Sequence, residues 1–112
     1  AAAACQRRCL LECLDFSAIR HRKGRRLTRH ATIQEQLLSM RCEYEADMEL
    51  VFATAENFDR AMHAPQHSGW QRLLVCLAKY RCGGNAIAAG NTSLMIFGAH
   101  GYDQAWPIAR LH

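Results

Sequence analysis

Apolar residues recur through the middle of the chain at Ile33, Leu37, Met40, Tyr44, Met48, Val51, Ala55, Phe58 and Met62, always three or four positions apart. That spacing draws one stripe down one side of an α-helix. Leu38, Leu50 and Phe52 widen the stripe, and Glu35, Arg41, Glu45, Glu49, Glu56 and Arg60 fill the remaining surface. The pattern predicts a helix over 32–63. Thr32-Ile-Gln-Glu35 fits a capping box, in which the hydroxyl takes a backbone N–H three residues on and the carboxylate reaches back. Pro65 ends the helix, because its ring disfavours helical geometry at Ala64. Such a helix is roughly 45–50 Å long at about 1.5 Å per residue. That is long for a chain of this size, so other helices flank it or one end projects toward a partner. Arg41 with Glu45 and Glu56 with Arg60 are opposite charges four apart, each contributing about 0.2–0.5 kcal/mol.

Residues 2–20 predict a first helix, alanine-rich at its start, with Leu10, Leu11, Leu14 and Ile19 as apolar bulk and Arg8–Glu12 as a further pair four apart. Ser68-Gly-Trp-Gln71 fits a second capping box, and Trp70, Leu73, Leu74, Leu77 and Ala78 predict a helix over 69–82. Lys79 and Arg81 then fall in its last turn, where cations suit the helix dipole, and Gly83 reads as the stop. The short link Ala64 to His67 makes this helix antiparallel to the long one. Residues 83–112 read as irregular, with Trp106 and Ile108 pinning the tail. The expected fold is all-α: a single domain, a small helical bundle built on one long central helix. No run approaches the ~18 apolar residues of a membrane span.

Charge changes this picture at one place. The 112 residues carry a net charge of +4, but Arg20, Arg22, Lys23, Arg25, Arg26 and Arg29 lie within ten positions. The rest is slightly acidic, and most of the acids lie on the long helix. The density of like charge and Gly24 predict a basic loop over 20–30. Such a run attracts anions by counterion release, with nucleic acid, an acidic protein or a lipid surface as candidate partners. No aromatic residue lies inside it to stack on bases. The alternative is a solvated loop that neutralises the acidic helix or a partner.

Six cysteines, Cys5, Cys9, Cys13, Cys42, Cys76 and Cys82, are many for so short a chain. An even count favours disulfides and an oxidising compartment, whether secreted, periplasmic or an organelle lumen. The start Ala-Ala-Ala-Ala is compatible with removal of a targeting segment at a small-residue site. Cys5, Cys9 and Cys13 share one face of the first helix, so they are poorly placed to bond one another and better placed to meet the other three. The competing reading makes them small buried hydrophobes.

Chemistry is harder to find. Gly84 to Thr92 resembles a phosphate loop, but it is one residue too long and has Asn91 where a lysine is needed. His63, His67, Cys76 and Cys82 offer four zinc ligands, with Pro65 breaking the histidine spacing and five residues between the cysteines. Glu45, Glu49, Glu56 and His63 share a helix face but lack the Glu-x-x-His partner of a carboxylate di-iron bundle. No nucleophile sits beside a base. The sequence therefore points to no catalytic residue, metal or cofactor. It suggests a non-enzymatic accessory or structural subunit that docks on other protein subunits through the basic loop and the long amphipathic helix. A secreted or lumenal disulfide-stapled binding module and a small nucleic-acid-binding protein are the alternatives.

Overall fold

The computed structural model describes residues 1–111. Helix α1 spans Ala2–Ile19 and is followed by two short strands, β1 (His21–Arg22) and β2 (Arg25–Arg26), and a 3-10 turn at Leu27–Arg29. Helix α2 spans Ala31–His63, a second 3-10 turn covers Pro65–His67, and α3 spans Ser68–Phe97. A third 3-10 turn at Gly98–Tyr102 leads to the short helix α4, Ile108–Leu111. The result is an all-α bundle in which α1, α2 and α3 pack on one another. Its extents of 60 × 27 × 16 Å follow from the length of α2. Among the described residues no helix is long and apolar enough to cross a membrane.

Helix α3 runs fifteen residues beyond the expected end at 82, to Phe97. Gly83 and Gly84 stay helical, although each costs about 1 kcal/mol relative to alanine in a helix interior. Burial of Cys82, Ala89, Ser93, Ile96 and Phe97 against the bundle offsets that cost. The stop is Gly98, at φ +60°, whose N–H donates to the Leu94 carbonyl. Gly101 is needed for a second reason, since a Cβ there would lie 3.0 Å from Leu94 Cδ2 and 3.3 Å from Leu94 Cα. Within residues 83–111, α-helix is interrupted over 98–107 alone.

Neither capping box forms. The N-cap of α2 is His30 and that of α3 is His67, each without a side-chain cap. Pro65–His67 is already a 3-10 turn, so α3 grows out of it. Gln71 instead accepts a hydrogen bond of 2.8 Å from Asn57 Nδ2. The three ion pairs four apart, Arg8–Glu12, Arg41–Glu45 and Glu56–Arg60, all form on the surface.

The basic segment is a β-hairpin rather than a loop. His21 lies opposite Arg26 and Arg22 opposite Arg25. Lys23 and Gly24 form its two-residue turn, both with positive φ (51° and 75°), as a type I′ turn demands. The Leu27 N–H closes the base on the Arg20 carbonyl at 2.8 Å, and the Leu27 side chain plugs into the core.

The core lies at the hairpin end. Cys9, Leu10, Cys13 and Phe16 of α1 meet Leu37 and Met40 of α2, Ala89, Ile96 and Phe97 of α3, and Ile108 of α4. The apolar stripe of α2 is thus buried only over its first half. Helix α1 is the shorter partner, and beyond Asp47 the bundle narrows to an α2–α3 arm. There Val51, Phe52, Phe58, Met62, Trp70 and Leu73 remain exposed.

Candidate functional site

The hairpin and the last turn of α3 enclose a cleft of about 320 Å³. Its apolar floor is Phe16, Leu27, Ile33, Ile96 and Phe97, and its rim carries Arg20, His21, Arg22 and His100. Phe16 stacks on Phe97 with ring centroids 4.1 Å apart, and Trp106 meets both edge-on at 5.5 and 5.7 Å. His100 lies 5.9 Å from the Phe16 ring and 6.0 Å from Trp106. Among the described residues no carboxylate lines the cleft. A second hollow of about 270 Å³ lies on the other side of Arg22, with Lys23, His30 and Thr32 around Leu27 and Ile33. His30 Nε2 donates to the Arg22 carbonyl at 3.1 Å and ties the hairpin to the start of α2.

Of the six cations singled out in the sequence, Arg20 and Arg22 line the cleft and Arg22 and Lys23 the second hollow, while Arg25, Arg26 and Arg29 line neither. Arg20 caps α1, Arg22 lies in β1, Lys23 in the turn, Arg25 and Arg26 in β2, and Arg29 in the following 3-10 turn. All six are exposed, and among the described residues no ion pair reaches any of them. Arg22 and Arg25 sit directly opposite each other, a like-charge pair that costs the hairpin stability.

A second constellation was not anticipated. Asp47 is fully buried where α1, α2 and α3 converge. Its carboxylate accepts from Gln6 Nε2 (2.7 Å), Arg81 Nε (2.7 Å) and Asn85 Nδ2 (3.0 Å). Arg81 also bonds Glu43 at 2.7 Å, and Gln6 Nε2 also donates to the Cys82 carbonyl at 3.2 Å. Arg81 is therefore a mid-helix partner of two acids on α2, not a last-turn cation.

All six cysteines are free thiols. Cys13 contacts the Ser93 hydroxyl at 3.2 Å, Cys5 faces the Leu111 carbonyl at 3.6 Å, and Cys42 and Cys76 are exposed on α2 and α3. The α1 row meets a serine and a backbone carbonyl where disulfide partners were expected. Burial pushes the Cys9 thiol up to about 11 and the Cys13 thiol up to about 12, so both stay protonated near neutrality and act as core hydrophobes. Cys82 is raised as well, by burial and then by the neighbouring Asp47 charge.

Comparison with known proteins places this geometry in context. The family model described as acyl-CoA dehydrogenase, C-terminal domain, matches residues 1–112. The butyryl-CoA dehydrogenase of Megasphaera elsdenii superposes with a TM-score of 0.82 and 23% identity over 98% of this chain. A glutaryl-coenzyme A dehydrogenase solved with glutaryl-CoA gives 0.78 and 22% identity, also over 98%. The chain spans about a quarter of the length of these structures, 27% and 26%. No curated protein matches it significantly. These findings correct the expectation of a non-enzymatic accessory subunit, and with it the stapled-module and nucleic-acid alternatives. The family is that of a domain of acyl-CoA dehydrogenases, which are enzymes. A chain that matches about a quarter of these structures need not carry a complete catalytic motif.

Proposed function

The chain belongs to the acyl-CoA dehydrogenase C-terminal domain family, and from that premise we propose that it serves as the helical domain of an enzyme that dehydrogenates an acyl-CoA thioester. One observation carries the reading: the cleft at the hairpin end joins an apolar, aromatic floor to a cationic rim. A fatty acyl thioester is apolar at one end and carries phosphates at the other. Phe16, Ile96 and Phe97 suit the first part, and Arg20, Arg22 and the neighbouring hairpin cations suit the second. The described residues put no carboxylate in this lining, so the role proposed for the cleft is that of a binding wall.

Trp106, packed on Phe16 and Phe97, is the natural reporter, once Trp70 on the arm has been replaced by Phe. Titration with butyryl-CoA is expected to change its fluorescence, with affinity falling as salt rises. Arg20→Gln together with Arg22→Gln is expected to weaken binding about tenfold. Affinity indifferent to both salt and the double substitution would refute the assignment of the cleft.

The arm supports a second part of the proposal, association with other subunits. Phe52, Phe58, Met62, Trp70, Leu73, Val75 and Leu77 are too many large apolar side chains to leave in water on one two-helix arm. Sedimentation at increasing concentration is expected to show reversible self-association, weakened by Phe58→Glu. A strictly monomeric chain at every concentration would count against it.

A further inference from the structure

The hairpin turn holds a residue that suits it poorly. A type I′ turn favours Asn, Asp or Gly at both central positions. Lys23 occupies the first at φ 51°, and among the described residues no other non-glycine has a positive φ. A Cβ is disfavoured in that region, so turn geometry alone does not account for a lysine there. Lysine is also scarce in this chain. Of its fourteen basic Lys and Arg residues, Lys23 and Lys79 are the two lysines. An arginine stays protonated and holds no free nitrogen lone pair, whereas a lysine amine can act as a nucleophile. Lys23 is exposed and lines the hollow of about 270 Å³. Arg22 lines both that hollow and the cleft with the aromatic floor, so the two spaces adjoin. Lys79 lines neither, and it lies on α3 roughly 27 Å before Phe97 at about 1.5 Å per residue.

Resting on the reading of the cleft as an acyl-CoA site, we propose that Lys23 is acylated by the thioester gathered there, and that the lost charge weakens the hold on the next acyl-CoA. The uncharged amine attacks the thioester carbonyl carbon. The C–N bond forms as the C–S bond breaks, the sulfur leaves as the coenzyme A thiolate, and the nitrogen gives its surplus proton to water. An amide and free coenzyme A result, with no change of oxidation state. Arg20 and Arg22 favour the step by holding the phosphates, which keeps the thioester beside the turn for longer than a random encounter would. The amide carries no charge, so the phosphates lose one cation of the hairpin. Acylation of Lys23 is thereby a feedback of acyl-CoA on its own binding.

The test incubates the full chain with butyryl-CoA and clears thioesters from the exposed Cys42 and Cys76 with neutral hydroxylamine. Fragment masses after digestion then report amide formation at each lysine. Lys23 is expected to react at least about tenfold faster than Lys79, the reference within the same chain. High salt, the paired Arg20→Gln and Arg22→Gln substitutions, and S-butyryl-N-acetylcysteamine, a thioester without phosphates, are each expected to abolish that preference. The acylated chain, and likewise Lys23→Gln, is expected to bind butyryl-CoA about threefold more weakly in the Trp106 titration. Lys79→Gln is expected to leave the affinity unchanged. Equal rates at the two lysines, in a chain whose Trp106 still responds to butyryl-CoA, would overturn the proposal and leave the reading of the cleft standing. Equal rates without a Trp106 response would remove both. A preference for Lys23 that survives high salt or the phosphate-free thioester would reduce it to the reactivity of an exposed turn residue and overturn the proposal, as would an affinity untouched by acylation.

Discussion

Asp47→Ala is expected to lower the stability of the chain by about 3 kcal/mol, several times the effect of removing any exposed ion pair on its surface. The difference lies in who is left behind. Asp47 is fully buried and accepts three side-chain hydrogen bonds, one from each of Gln6, Arg81 and Asn85. Once the carboxylate is gone, Arg81 keeps Glu43 and about half its surface in water, so its loss is partial. Gln6 has no such outlet, and one of its N–H groups would stay buried without an acceptor. The junction also holds the start of α1 to the middle of α2 and α3, so the damage spreads along the bundle. Chemical denaturation compares the variants, with Arg41→Ala as the exposed reference. A loss for Asp47→Ala below about 1 kcal/mol would mean that water replaces the carboxylate adequately.

The signal for this junction was present in the sequence. Asp47 falls on the apolar row of α2, seven residues after Met40 and ten after Leu37, and Asn57 follows ten residues later. A polar residue in an apolar row is the informative exception, because an unpaired acid is seldom buried. Reading the row through its apolar members alone passed over both. The partners were not legible, since Gln6 and Arg81 lie 41 and 34 positions away and only the packing of three helices brings them together.

Other elements divide along similar lines. Local rules located α2 nearly to the residue, the short return into α3 and the surface ion pairs. They failed where a tertiary contact outweighed a local preference, as at Gly83 and Gly84, which continue α3 because the residues beyond them are buried against the bundle. The hairpin was hidden by its charge. A two-residue Lys23-Gly24 turn is a readable hairpin signal, but the like charges around it argued for an unstructured loop. The exposed second half of the stripe has a different cause. Periodicity marks a face for burial without saying whether the covering surface lies in the same chain. The cleft escaped notice because its cations, aromatics and glycine turn come from separate segments, none of which carries a motif.

Phe16→Ala is expected to cost about 3–5 kcal/mol, the largest single loss in the core, and to uncouple the tail from the bundle. Phe16 is nearly buried and its ring meets those of Phe97, His100 and Trp106. Removing it leaves a void that three rings from two segments line. The void collapses poorly, because Phe97 is held in α3 and Trp106 is tied to the turn that starts at Asp103. Phe16→Leu keeps most of the volume but loses the stack, and is expected to cost about 1 kcal/mol. Hydrogen exchange distinguishes a local loss from a global one. In Phe16→Ala, amides of 98–111 are expected to exchange faster than those of α2, since the tail is held largely by Ile108 and by these rings. The same ring forms the floor of the cleft, so the alanine variant is expected to lose acyl-CoA binding while the leucine variant retains it. If the alanine variant bound as tightly as the unsubstituted chain, the aromatic floor would be a packing feature only, and recognition would rest on the hairpin cations alone.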